Sequence, residues 1–176
     1  MGIHRLNHAV LYVRDTAVST AFYTDVLGFR VVATLPGGAG AFLRASGSTN
    51  DHDLGLFAMG GEAADSAAGR SAVGLYHLAW EVETLADLEL HAERLAAAGA
   101  LVGSSDHGTT KSLYAHDPDG LEFEVVWLIP AHLLREQDTA GAVARPRQLD
   151  LAREKARFGA DTRGGLGVSV PLGVGL

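Results

Sequence analysis

Eight histidines and no cysteine set the chemistry open to this chain of 176 residues. Without thiols there are no disulfides, thiolate metal sites, iron–sulfur clusters or cysteine nucleophiles. Any metal ion must be held by imidazoles and carboxylates. Two histidines stand out by position: His8 opens the strand-like run 8–13, and His77 lies near the start of a second such run, 75–82. A third group is Glu124, within Leu121-Glu122-Phe123-Glu124-Val125-Val126-Trp127. At the two-residue period of a strand, Glu122, Glu124 and Val126 share one face, and Phe123, Val125 and Trp127 the other. A carboxylate on so apolar a strand needs a partner, because burying it unpaired is costly. That partner is either an arginine or a metal ion shared with His8 and His77. Two imidazoles and one carboxylate on one face make the facial triad that binds non-haem Fe(II) and leaves three positions open.

The elements that must position these groups repeat. Residues 8–13 predict a strand, and Asp15 or Thr16 caps a helix running to Leu27, with Ala17, Phe22, Val26 and Leu27 available for the core. Gly28 stops it, and 29–35 predict a strand, followed by a turn at Pro36-Gly37-Gly38. Two further strands are expected over 40–45 and 53–59. The Gly/Ala/Ser-rich stretch 60–70 reads as a linker. The pattern then returns: a strand over 75–82, a helix from Thr84 to Ala98 closed by Gly99, and a strand over 100–103. A hairpin of 112–116 and 121–129 follows, turning at Asp117-Pro118-Asp119-Gly120. His8 to Gly28 is 20 residues and His77 to Gly99 is 22; Gly28 to Phe42 and Gly99 to Leu113 are both 14. The sequence thus predicts two β-α-β-β-β modules, 4–60 and 72–130, making one domain over 1–130. The fold class is α+β: one open, cupped, mixed β-sheet barrel with helices outside. Two-fold symmetry between the modules would bring His8 and His77 together. Residues 131–176 form an extension, with helices over 131–137 and 148–158 and a loose Gly-rich end from 164.

Composition narrows the function classes. Fourteen Lys and Arg face 21 Asp and Glu, a formal charge of -7. So acidic a chain is a poor nucleic-acid binder, since affinity for phosphate backbones rests on cationic side chains. No stretch approaches the ~18 apolar residues of a membrane span. The N-terminus enters a strand-like run with no signal-peptide core, and the reading is a cytoplasmic protein.

On these residues the sequence resembles the vicinal oxygen chelate superfamily, which holds glyoxalase I, extradiol dioxygenases and bleomycin- and fosfomycin-resistance proteins. The carrying features are His8, the helix exit at Leu27-Gly28-Phe29, His77, and Asp117-Pro118-Asp119-Gly120-Leu121-Glu122-Phe123-Glu124, similar to the family's D-P-D-G-x-x-x-E segment. The likeness spans about residues 4–130. Glyoxalase I uses four protein ligands, and the positions that would mirror Glu124 in the first module, near Gly55 and Leu56, cannot bind metal. Only Asp53 comes close. The three-ligand branch, similar to catechol 2,3-dioxygenase-like enzymes, is the better match. Tyr114 precedes Glu124 by ten residues, as an active-site tyrosine does there. His107-Gly108-Thr109-Thr110-Lys111 is similar to an H-G-x-T-[RK] segment, about two residues short of the expected spacing to Tyr114. His52 stands where that family carries an acid–base histidine.

The resemblance implies Fe(II) held by His8, His77 and Glu124, with Mn(II), Ni(II) or Zn(II) as alternatives. It implies a catechol and O2 as substrates, ring opening beside the diol, and a homodimer. His52 would move a proton, the task an imidazole suits near neutral pH. His107 and Tyr114 would orient the substrate oxygens. Taken singly, His52 and His107 are also plain surface residues and Tyr114 is sheet packing. His91, at solvent spacing on a helix, and His116, beside the turn, read as surface or rim; His4 and His132 have no partner that sequence names. The rival readings are a glyoxalase-type isomerase or lyase, and a drug-binding protein without chemistry.

Overall fold

The structure is a computed structural model that describes residues 2–3, 5–139 and 146–165. His4 and most of the expected loose end, 166–176, lie outside the described residues. The chain forms two compact units. One comprises Met1–Gly74 with Asp117–Leu121, the other Leu75–His116 with Glu122–Leu176.

The first unit holds β1 (Ala9–Val13), α1 (Thr16–Asp25), β2 (Arg30–Thr34), β3 (Gly40–Arg44) and β4 (Leu54–Ala58). Its strands lie in the order β1-β4-β3-β2, with β1 and β4 parallel and the other pairs antiparallel. Leu11, Val13, Leu43, Leu54 and Leu56 are buried, Leu43, Leu54 and Leu56 completely. Full burial of each such side chain contributes about 1.5–3 kcal/mol. Asp15 caps α1, accepting from the Ala17 and Val18 amides. The buried side of this helix is Thr16, Ser19 and Tyr23, whereas Ala17 is exposed and Phe22, Val26 and Leu27 are half-buried. The expected apolar stripe is therefore corrected to a polar one. Each of its groups has a specific acceptor: Thr16 Oγ1 donates to Gly38 O at 2.6 Å, Ser19 to Asp119 at 3.4 Å and Tyr23 to Asp117 at 3.2 Å.

The second unit repeats the topology. β5 (Leu78–Glu81), α2 (Leu85–Ala97), β6 (Leu101–Asp106), β7 (Thr110–His116) and β8 (Glu122–Leu128) give the order β5-β8-β7-β6, again with one parallel pair. Thr84 and Asp87 form a reciprocal capping box at the start of α2. Leu85, Leu88 and Leu95 are its buried residues, and it packs on β7 and β8, whose Leu113, Phe123, Val125 and Trp127 are buried too. The architecture is α+β with two four-stranded mixed sheets.

The extension departs from the expected helix over 131–137. It makes a 3-10 turn, Ala131–Leu133, and a four-residue helix α3 (Glu136–Thr139), because Asp138 caps the Arg135 amide at 3.0 Å. Helix α4 (Leu151–Phe158) begins at Asp150 and packs beside α2. Phe158 stacks on Trp127 at 5.5 Å, and Trp127 Nε1 donates to Thr162 O at 3.2 Å. Among the described residues no helix is long and apolar enough to cross a membrane.

Acid should weaken this fold. Burial by itself would raise the carboxyl pKa values of Asp106 and Asp138. The Lys111 ammonium, the Gly108 amide and the Arg147 charge on Asp106, and the Arg157 guanidinium, the Arg135 amide and the Lys111 charge on Asp138, together outweigh it, so both fall below the ordinary 3.8. A depressed carboxyl stabilises the folded state above its unfolded pKa, and the gain is lost as pH drops through the folded value. Asp117, raised by burial, works in the opposite sense but is one group against three, since Asp51 is lowered too by its hydrogen bond with His52. The urea midpoint is expected to hold near neutrality and to fall as pH drops below about 4. A midpoint that rises on acidification contradicts this.

Candidate active site

In the second unit the site grows from strand register. Ala79 and Tyr114 both pair with Glu124, on β5 and β7 respectively, and His116 pairs with Glu122. His77 lies two residues before Ala79, so it faces the same side of the sheet as Glu122, Glu124 and Tyr114. His77 Nε2 is 3.2 Å from Glu124 Oε2, and His77 Nδ1 is 3.6 Å from Glu122 Oε1. Nδ1 is buried and lacks a hydrogen-bond partner. On the same face His107 Nε2 and the Tyr114 hydroxyl are hydrogen-bonded at 2.7 Å, and the rings of His77 and Tyr114 lie 6.0 Å apart. Burial, followed by the negative charge of Glu124, raises the Tyr114 pKa above its usual 10, so the phenol stays an O–H donor at neutral pH. Tyr76 is also raised, chiefly by the charge of Glu122.

In the first unit His8 precedes β1, and its side faces with Val10, which pairs with Gly55. The rings of His8 and His52 lie 4.5 Å apart, and the Phe42 ring is 5.2 Å from His52. His8 Nδ1 contacts Asn7 Oδ1 at 2.8 Å, and His52 Nδ1 contacts Asp51 Oδ2 at 2.9 Å. Each imidazole thus has one nitrogen engaged by a neighbouring side chain, which orients the other.

The six candidate residues therefore fall into three close groups: His77 with Glu124, His107 with Tyr114, and His8 with His52. His107 is half-buried in contact with Tyr114 and is not a free surface residue. His91 is likewise half-buried, not solvent-facing, whereas His116 is exposed as read and His132 is exposed too.

Register also settles the internal alignment. Val10 pairs with Gly55 as Ala79 pairs with Glu124, so Gly55 holds the position of Glu124. Phe42 pairs with Gly55 as Tyr114 pairs with Glu124, so Phe42 corresponds to Tyr114, not to Leu113 as equal spacing predicted. The spacing from Gly99 to Tyr114 is one residue longer than from Gly28 to Phe42. β2 and β6 carry matching bulges, after Val31 and after Leu101. One module therefore presents Phe42 and Gly55, the other Tyr114 and Glu124.

Glu122 lies on the face that the strand period gave it beside Glu124. Phe42 needed the register count. The Asp-Pro-Asp-Gly turn proves to be structural: Asp117 accepts from the Asp119 and Leu121 amides at 2.9 Å, and Asp119 takes the Arg14 guanidinium at 3.0 Å.

The donor set suits a hard or borderline cation. An imidazole nitrogen and a carboxylate oxygen coordinated at right angles at ~2.1 Å stand ~3 Å apart, close to the His77–Glu124 separation. Glu122 Oε1, at 3.6 Å from the buried Nδ1, is beyond hydrogen-bonding distance and acts on the ring through its charge alone. Among the described residues, no three or more His, Asp or Glu side chains come together as a group that could hold a metal ion.

A family model described as Glyoxalase/Bleomycin resistance protein/Dioxygenase superfamily matches residues 5–125. The chain is 31% identical over 120 residues to a catechol-2,3-dioxygenase of Bacillus subtilis (strain 168), covering 68% of this chain and 40% of that protein. It is 36% identical over 117 residues to biphenyl-2,3-diol 1,2-dioxygenase 3 of Rhodococcus globerulus, covering 66% of this chain and 59% of that protein. The chain spans about half the length of these curated relatives. A crystal structure of a glyoxylase/bleomycin resistance protein/dioxygenase domain from Frankia sp. EAN1pec superimposes with a TM-score of 0.61 at 26% identity, over 74% of this chain and 96% of that one.

Proposed function

The chain belongs to the glyoxalase/bleomycin resistance protein/dioxygenase superfamily, and we propose that within it the chain is an Fe(II)-dependent extradiol dioxygenase that opens a catechol-type ring with O2. The observation that carries this reading is the His77–Glu124 pair at 3.2 Å, on the face that also carries the Tyr114–His107 hydrogen bond. In the proposal His77 and Glu124 hold the ion together with His8, the counterpart of His77 in the first module. Bound there, Fe(II) supplies a Lewis acid that makes a catechol hydroxyl more acidic, and a redox centre for O2. Glu122, 3.6 Å from His77 Nδ1, places a second negative charge beside the ring. Tyr114 donates its hydroxyl proton to a catechol oxygen, and His107 fixes the direction of that hydroxyl. His52 takes up a proton as the diol binds and returns one as the ring opens. Phe42 and Gly55 leave the matching part of the first module apolar and without a fourth ligand. The working protein is proposed to be a cytoplasmic homodimer that handles small molecules.

Tyr114→Phe should lower kcat for ring opening about 10²-fold through misoriented substrate, with the iron content unchanged. Steady-state O2 uptake checks this, and an unaltered kcat removes Tyr114 from the site. The function itself is tested by anaerobic loading with Fe(II), then a panel of catechols with O2 uptake and visible absorbance recorded together. Uptake with a new yellow chromophore is the expected result. No metal retained, or turnover with Ni(II), Mn(II) or Zn(II) that needs no O2, overturns it in favour of a binding protein or a glyoxalase-type isomerase.

A further inference from the structure

Residues 147–158 lie beyond the matched region, yet they meet the loop that carries His107. Asp106, the residue before His107, exchanges two backbone hydrogen bonds with Arg147, at 2.8 and 2.9 Å. Its carboxylate takes the Arg147 guanidinium at 3.1 Å, the Lys111 ammonium at 2.5 Å and the Gly108 amide at 2.8 Å. Lys111 is wholly buried; it also donates to Gly108 O at 3.1 Å and pairs with Glu154 of α4 at 3.3 Å. Glu154 is only 2% exposed. The turn 106–110 is thus held at Asp106 and at Gly108 by one ammonium, and that ammonium is neutralised partly from α4.

Burying so many charges is expensive, and apolar side chains of the same volume would often serve stability as well or better. Charges with fixed directions offer geometry that apolar packing does not. Here the geometry is the path of Asp106, His107 and Gly108, at whose centre His107 meets Tyr114.

We infer that the C-terminal segment acts as a brace for His107, with Lys111 and Glu154 as positioning residues that hold the 106–110 turn so that the imidazole meets the Tyr114 hydroxyl. The inference rests on the proposed function only for its catalytic consequence; the brace itself is a matter of geometry.

The test uses the full chain with labelled histidine and no added metal, and reads the His107 ring nitrogens by NMR. Lys111→Met together with Glu154→Leu removes one positive and one negative charge and keeps the volume, so the fold should survive. If the brace operates, the His107 Nε2 signal moves to where Tyr114→Phe puts it, while the signals of His8 and His52 stay in place. With Fe(II) and an active catechol, kcat then falls at least ~10-fold while KM and iron content hold. A folded double variant with the wild-type His107 signal overturns the brace. Should that variant not fold, hydrogen exchange in the wild-type chain decides. Equal protection of the Gly108 and Glu154 amides supports the brace, and a Gly108 amide exchanging more than ~100-fold faster than that of Glu154 overturns it. A displaced His107 signal in a chain that turns over no catechol keeps the brace and discards the proposed reaction; an unmoved signal in an active dioxygenase does the reverse.

Discussion

Glu124→Gln is expected to abolish tight Fe(II) binding and, with it, catechol ring opening. The side chain keeps its size but loses the negative charge that faces His77 Nε2 at 3.2 Å. A neutral amide is a much poorer ligand for a hard cation than a carboxylate. With no cysteine in the chain, no thiolate can take its place. The loss should therefore exceed the ~10–100-fold in affinity that follows removal of an outer partner, which is the expected size for Glu122→Gln. Anaerobic titration with Fe(II), followed by metal analysis after desalting, measures both variants. Glu124 is not part of the apolar packing of β8, so circular dichroism should match that of the wild type. Glu124→Gln with one equivalent of iron and full turnover would remove the residue from the metal site. A larger loss for Glu122→Gln than for Glu124→Gln would exchange their roles.

Trp127→Ala should cost about 3–5 kcal/mol, the usual range for truncating a buried tryptophan, through lost burial and the cavity left behind. Trp127 is completely buried. It sits at the junction of β8 with the extension: Phe158 stacks on the ring, and Nε1 donates to Thr162 O. Gly164 comes so close that an added Cβ would lie 3.0 Å from the indole. Removing the ring therefore takes away the surface on which residues 158–164 rest. Urea unfolding gives the energy, and limited proteolysis should show cleavage after α4 in Trp127→Ala but not in the wild type. Trp127→Phe, which keeps most of the packing, should lose little more than the ~0.5–1.5 kcal/mol of one hydrogen bond. A cost under about 1 kcal/mol for the alanine variant would mean that the extension is held elsewhere.

Much of this protein was legible from the order of its amino acids, because those features are local. Period two in 121–129 put Glu122 and Glu124 on one face, and Asp15, Thr84, Gly28 and Gly99 marked the helix ends through capping chemistry that acts within a few residues. The repeat was visible because each module needs the same strand and helix order to bury its apolar face. The donor types, imidazole and carboxylate, followed from composition. Tertiary structure alone decided the rest. One residue in the β6–β7 half of the second module shifts the count, so only strand pairing equates Phe42 with Tyr114 and Gly55 with Glu124. Helix α1 turns a polar face inward because Asp117 and Asp119, about a hundred residues away in sequence, supply acceptors for Tyr23 and Ser19. Lys111 showed in the sequence only as the last residue of the His107–Lys111 segment, yet it is wholly buried, with Asp106 and, from α4, Glu154 to compensate its charge. A pattern of hydrophobicity shows which residues prefer to leave water; it does not show which distant charge will compensate a polar group that leaves water with them, since that pairing is made by the folded chain.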